Sequence, residues 1–170
     1  NTAGDNNTAL GHSALKFVTL GSNSGNTGVG RDAGNFFRMT NSTYLGYAAF
    51  PVATGYTNAM GLGYNARPDG SNRIHVGNTS ITSIKGQVGF TTYSDGRFKT
   101  ALREDVHGLD LIMKLRPVTY NVDAHALAAQ MKEDVRYDST GAPVLQTDPL
   151  DVQARDEQSR IRYTGFIAQE

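Results

Sequence analysis

Asn26-Thr27-Gly28-Val29-Gly30-Arg31-Asp32-Ala33 decides the fold, because the chain repeats it on both sides. Upstream it stands as Asn7-Thr8-Ala9-Leu10-Gly11-His12-Ser13-Ala14, and downstream as Ser42-Thr43-Tyr44-Leu45-Gly46-Tyr47-Ala48-Ala49. Asn58-Ala59-Met60-Gly61-Leu62-Gly63-Tyr64-Asn65-Ala66 is a further copy, and Ile74-His75-Val76-Gly77-Asn78 a degraded last one. Each copy sets one apolar residue directly before a glycine, at 11, 30, 46, 63 and 77. A short strand closed by Gly and Asn at such intervals is one coil of a β-roll or β-solenoid. Gly and Asn tolerate the positive φ that tight corners require. About one apolar side chain per coil does not offset an ordering entropy of ~1–2 kcal/mol per residue. Residues 1–71 are therefore expected to form a repeat shaft that leans on neighbouring coils and on other copies of the chain, as a homotrimer.

Outward from the repeats the composition changes abruptly. Residues 1–93 carry 15 of the 19 glycines and 9 charged residues, while 94–170 carry 4 glycines and 23 charged residues. That break puts a domain boundary near Ser94. Between shaft and boundary, Ile74, Val76, Ile81, Ile84, Val88 and Phe90 fall mostly at even spacing, so 72–93 is read as a β-neck of two or three strands. Beyond it, a helix is expected over 104–115 with Pro117 closing it, then a strand over Val118–Val122 and a helix over Ala124–Lys132. Residues 138–150, with Gly141, Pro143 and Pro149, read as an exposed excursion, and Arg160–Gln169 as a buried strand. The fold class is thus a mainly β shaft and neck followed by a small α+β domain.

Whole-chain properties exclude more than they assign. Lys+Arg and Asp+Glu are 16 each, so no net field favours nucleic acid. No apolar run is long enough to insert into a membrane. Cysteine is absent, which removes disulfides and thiolate metal sites. His12, His75, His107 and His125 lack ligand spacing, and no cofactor is expected. Gly61-Leu62-Gly63-Tyr64-Asn65-Ala66 matches a dinucleotide-binding pattern in form, but Pro68 follows where a helix is required, and a coil explains the glycines better. Asn6, Asn41 and Asn78 head N-x-S/T triplets of the kind chance supplies in an Asn/Thr-rich chain. Tyr44, Tyr47, Tyr56 and Tyr64 suit either packing within a trimer or a carbohydrate-binding face.

One stretch carries candidate chemistry: Tyr93-Ser94-Asp95-Gly96-Arg97-Phe98-Lys99. A serine hydroxyl becomes a nucleophile when a base takes its proton, and a desolvated lysine amine can be that base. In a continuous helix a five-residue step rotates by about 140°, so Ser94 and Lys99 would not share a face. The turn pair Asp95-Gly96 can break that regularity, or Lys99 can come from a neighbouring copy. The plain alternative is a solvent turn with a surface lysine.

Ser94-Asp95-Gly96-Arg97-Phe98-Lys99, then Gly108-Leu109-Asp110-Leu111-Ile112-Met113-Lys114-Leu115-Arg116-Pro117-Val118-Thr119-Tyr120, then Gly165-Phe166-Ile167-Ala168-Gln169-Glu170 occur in that order. Together they resemble the intramolecular chaperone domain of endosialidases and related phage tail fibres, the peptidase S74 family. The shaft is similar to trimeric adhesin heads and tail-fibre shafts. The resemblance implies a homotrimer in which 94–170 templates the fibre and cuts itself off. Ser94 is then the nucleophile, Lys99 the general base and Tyr93–Ser94 the scissile bond. It also implies location on a virion or a cell surface, with a host glycan or receptor bound through the shaft. The chain opens inside a repeat and stops where the family domain continues into further helix, so it is read as a piece of a longer protein. The alternative is a non-cleaving structural fibre tip that binds a receptor.

Overall fold

The structure is a computed structural model and describes residues 4–16, 23–105, 108–138 and 140–166, without the side chains of 110 and 111. The repeats form parallel coils. Strands β1 (Thr8–Leu10), β2 (Thr27–Val29), β4 (Thr43–Leu45), β6 (Met60–Leu62) and β7 (Ile74–Val76) make one five-stranded sheet in the order β1-β2-β4-β6-β7. Register is strict: Leu10, Val29, Leu45, Leu62 and Val76 sit side by side, one per coil. On the return side β3 (Met39–Thr40) pairs in parallel with β5 (Tyr56–Thr57).

Each corner is built from the residue types that the repeats supply. Two positions before each strand the backbone takes positive φ, at Asn6, Gly25, Asn41, Asn58 and Asn72. Two positions after each of the first four closing glycines it does so again, at Ser13, Asp32, Ala48 and Asn65. Asn and Asp visit this region at lower cost than branched residues, which explains much of the bias. Inside the coil a polar ladder joins successive rungs. Asn26 N–H donates to Asn7 Oδ1 (2.9 Å), Ser42 N–H to Asn26 Oδ1 (3.0 Å) and Ala59 N–H to Ser42 Oγ (3.1 Å). Buried Asn and Ser thereby satisfy backbone donors that no strand partner reaches. Leu15, Ala33, Met39, Tyr44, Ala49 and Ala66 fill the remaining interior. Tyr44 is thus a core residue of its own coil rather than a contact between copies.

Gly46 shows why a glycine closes the strand. Its φ is +128°, and a Cβ there would lie 2.6 Å from the carbonyl oxygen of Gly63 in the next coil. Gly55 also has positive φ, yet a Cβ there meets nothing within 4 Å. Gly46→Ala is therefore expected to destabilise the protein by about 2–4 kcal/mol, and Gly55→Ala by about 1 kcal/mol. Thermal or urea unfolding of both variants checks the difference. Equal losses would mean that the close approach between coils contributes nothing.

Past the last coil the expected neck does not form. Ile74–Val76 is the final strand of the shaft sheet, and no strand occurs among residues 77–93. Residues 81–94 are exposed throughout, with Phe90 97% and Tyr93 104% accessible. The even spacing of apolar residues was a strand signal, but Gly86 and Gly89 interrupt it and no second strand lies alongside. A 3-10 turn follows at Gly96–Phe98, and then α1 (Gly108–Lys114), shorter than the helix expected over 104–115. Residues 106 and 107 of that expectation lie outside the described residues. The apolar side chains of Leu109, Ile112, Met113 and Leu115 stand in solvent.

The last third packs back onto the shaft. β8 (Val118–Asn121) pairs antiparallel with β11 (Arg162–Gly165), and Tyr120 stacks on Tyr163. β11 is half exposed rather than buried, because among the described residues no second layer packs over that pair; Ile167 to Gln169 lie outside the described residues. α2 (Ala124–Gln130) starts at Asp123, whose carboxylate accepts from Ala126 N–H. The stretch read as an excursion is structured. β9 (Val135–Tyr137) and β10 (Pro143–Leu145) form a hairpin, and α3 (Pro149–Ser159) follows. Asp148 caps α3 by accepting from Leu150 N–H (2.9 Å), with Pro149 in the first turn where its missing N–H costs nothing.

Candidate functional site

The sequence candidates lie in the exposed strap between shaft and docked module. Asp95 has extended backbone geometry and caps the Gly96–Phe98 turn by accepting from Arg97 N–H (2.9 Å). The Arg97 guanidinium folds back on the same carboxylate, with contacts of 2.6 to 3.2 Å. This pairing holds the Asp95 carboxyl below the usual carboxylate range. Phe98 and Lys99 N–H donate to Asp95 and Gly96 carbonyls, which closes the turn. A tight turn replaces the continuous helix, so the rotation that would separate Ser94 from Lys99 does not apply. Lys99 Nζ donates to Ser94 Oγ at 3.1 Å.

That arrangement unites the two candidates within one chain and without help from a neighbour. The ammonium donating to the hydroxyl is a resting geometry; the neutral amine at the same distance would accept the hydroxyl proton. Both side chains are open to water, and a lysine acts as a base only once it is shielded from water. Tyr93, on the other side of the bond in question, is fully exposed. The carbonyl carbon that Ser94 would attack belongs to the adjacent residue, so proximity is built in.

A second group of functional-looking residues, which the sequence reading missed, lies where the module meets the shaft. Glu133 is 3% exposed, and its carboxylate accepts from Thr79 Oγ1 (2.6 Å) and Thr79 N–H (3.0 Å). Arg155, 1% exposed, donates to Asp134 (2.9 Å) and approaches Glu133 (3.4 Å). Loss of water by itself would lower the Arg155 pKa; the hydrogen bond and charge of Asp134, with Glu133 and Asp151, outweigh it and raise the value. Arg67, 2% exposed, lies with its guanidinium carbon 3.5 Å above the Phe50 ring centroid. It donates to Asn65 Oδ1 (2.8 Å) and to the Val135 carbonyl (2.9 Å). Burial, and then the like charge of Arg136, push its pKa down to about 9. Tyr137 packs against Phe36 at 4.6 Å between centroids and edge-on to Phe50 at 6.0 Å. Only the i, i+4 spacing of Asp151 and Arg155 on α3 hinted at this in the sequence, and a charged pair on a helix ordinarily faces solvent.

The remaining candidates are placed plainly. Tyr47 and Tyr64 stack at 5.6 Å, with the Arg31 guanidinium carbon 5.5 Å from the Tyr47 ring centroid. His75 meets Asp69 (3.2 Å) and His125 meets Asp156 (2.7 Å), both as pairs, and His107 lies outside the described residues. Among the described residues no cluster of metal-ligating side chains occurs, and no helix is long and apolar enough to cross a membrane. The coils give the fold a β-solenoid-like class, mainly β with short helices. Comparison of the chain with protein-family models, with curated proteins and with solved structures finds no match.

Proposed function

We propose that the chain is the distal part of a trimeric fibre whose region after Tyr93 assists assembly and then severs the Tyr93–Ser94 bond. The observation that carries this reading is the 3.1 Å contact of Lys99 Nζ with Ser94 Oγ, held by a capped turn. In the proposed step the Lys99 amine takes the Ser94 hydroxyl proton and Oγ attacks the Tyr93 carbonyl carbon. The peptide C–N bond breaks, the Lys99 ammonium returns the proton to the Ser94 nitrogen, and an ester forms. Water then hydrolyses the ester, leaving a Tyr93 carboxylate and a free N-terminal Ser94. No cofactor is needed for the balance.

Assembly supplies what the single chain lacks. Leu10, Leu62 and Val76 of the aliphatic row are exposed, and Val29 and Leu45 are half-buried. A continuous apolar row on one sheet face is the kind of surface that copies of a chain bury together. The strap and α1 add further exposed apolar side chains on either side of Ser94 in the chain, among them Phe90, Tyr93, Leu109 and Ile112. Closure of three copies around the strap would remove water from Lys99 and so favour the neutral amine that can accept the Ser94 proton. Leu62→Asp is expected to abolish assembly while leaving the coil folded. Light scattering should then report a monomer with an unchanged far-ultraviolet circular dichroism spectrum; an intact trimer would remove this face from the interface.

Mass spectrometry of freshly expressed protein tests the cleavage, with products ending at Tyr93 and starting at Ser94 expected. A chain that stays whole through heating and long incubation would favour the second reading, a structural fibre tip. The solvent-open position of Ser94 and Lys99 is the observation on that side. Binding of a host glycan or receptor by an uncut trimer would then be its activity.

A further inference from the structure

The module does not hang from the strap. Residues of the last coils, from Tyr64 to Ser80, are gripped by residues 133–155 through buried and part-buried polar contacts far apart in sequence. Besides the contacts of Glu133 and Arg67, Asn65 Nδ2 donates to the Glu133 carbonyl (2.7 Å). Tyr64 OH donates to Asp151 Oδ2 (3.1 Å) and Ser80 Oγ to Asp151 Oδ1 (3.2 Å). None of these groups belongs to the strap, and the exposed strap residues 81–94 add little to the grip.

We infer that residues 133–155 form a non-covalent clamp on the final coils, so that a break in the strap leaves both pieces assembled. The clamp recognises the folded coil rather than a peptide. Thr79 N–H and the Asn65 amide are presented to Glu133 only when the last turns are wound. Arg67 reaches the Val135 carbonyl only with its guanidinium braced on Phe50. Charge-assisted hydrogen bonds from buried groups are the strong kind, and removing one partner strands the other without water. After scission the module would remain as a cap that covers this end of the shaft, not a released by-product.

The inference stands apart from the Ser94 chemistry and can be tested without it. In the full Ser94→Ala chain, a site for an added sequence-specific protease is inserted between Gly86 and Gln87. The folded protein is cut and passed over a sizing column in native buffer. The two pieces are expected to co-elute, to separate in denaturant, and to keep the Thr79 amide protected from hydrogen exchange. Separation in native buffer, or loss of Thr79 protection on cutting, would overturn the inference. Thr79→Val in the same cut protein should weaken retention by roughly 10- to 100-fold, the loss of one charge-assisted hydrogen bond. Unchanged retention in that variant would show that something other than this clamp holds the pieces.

Discussion

Ser94→Ala and Lys99→Ala chains are expected to remain whole under conditions in which the parent chain splits into residues 1–93 and 94–170. Alanine at 94 removes the only atom able to attack the Tyr93 carbonyl within the proposed step, so product should fall below detection. Alanine at 99 removes the base, and general-base catalysis contributes about 10²–10⁴-fold. Lys99→Arg is the sharper probe. A guanidinium can still donate to Ser94 Oγ and keeps the positive charge, but it does not lose its proton in a protein. If Lys99 acts as a base, Lys99→Arg stays uncut; if it only orients the hydroxyl, the arginine variant retains cleavage. Asp95→Ala should slow the reaction less, since it loosens the turn that sets the 3.1 Å contact without touching either reacting group. Time courses followed by intact-mass measurement separate these outcomes. Cleavage of Ser94→Ala at the same bond and rate would end the Ser–Lys reading.

Arg155→Met is expected to cost about 3–5 kcal/mol, the usual penalty for leaving a buried charge without its partner. Arg155 is 1% exposed and compensates both Glu133 and Asp134. Methionine fills much of the volume but leaves the Glu133 carboxylate with the Thr79 hydroxyl and amide and the more distant charge of Arg67. Changing Glu133 to Gln at the same time should recover part of the loss, because the inner carboxylate no longer needs a cation. Buried ion pairs are often replaceable as a unit even where halving them is costly. Chemical unfolding of the two single variants and the double variant measures the coupling. Additive losses would mean that Glu133 and Arg155 do not interact, despite their 3.4 Å separation. The position of the loss matters too. If the clamp holds the module, Arg155→Met should raise exchange at Thr79 and Ser80 before it disturbs the coils at β2 and β4.

The repeats made the shaft legible because its physics is local. A coil needs positive φ before and after each strand, and the chain supplies Asn, Gly or Asp there in nearly every copy. The same holds for the turn at Asp95-Gly96, whose capping residue and glycine stand next to each other. Those signals are read from a few neighbouring residues and owe little to what packs over them. Even so, the ladder of Asn7, Asn26 and Ser42 went unread, since asparagine at a corner and asparagine accepting a backbone N–H inside a coil look the same in a linear chain.

The neck failed for the opposite reason. Ile81, Ile84, Val88 and Phe90 have a strand's spacing, but a strand exists only when a neighbour takes its backbone hydrogen bonds, and none does among the described residues. The stretch read as an exposed excursion, 138–150, and the polar residues after it misled through their polarity. α3 buries Asp151 and Arg155 rather than an apolar stripe, so its inward face carries no hydrophobic period, and only Asp148-Pro149 marked its start. Sequence alone therefore determined the coils and their corners, because each depends on bonds made within a few residues, whereas it left the meeting of Ser94 and Lys99 open between a turn, a neighbouring copy and a plain surface lysine. Tertiary structure alone decided where the module sits, because Glu133, Arg155 and Arg67 become partners only after segments more than fifty residues apart have met and excluded water.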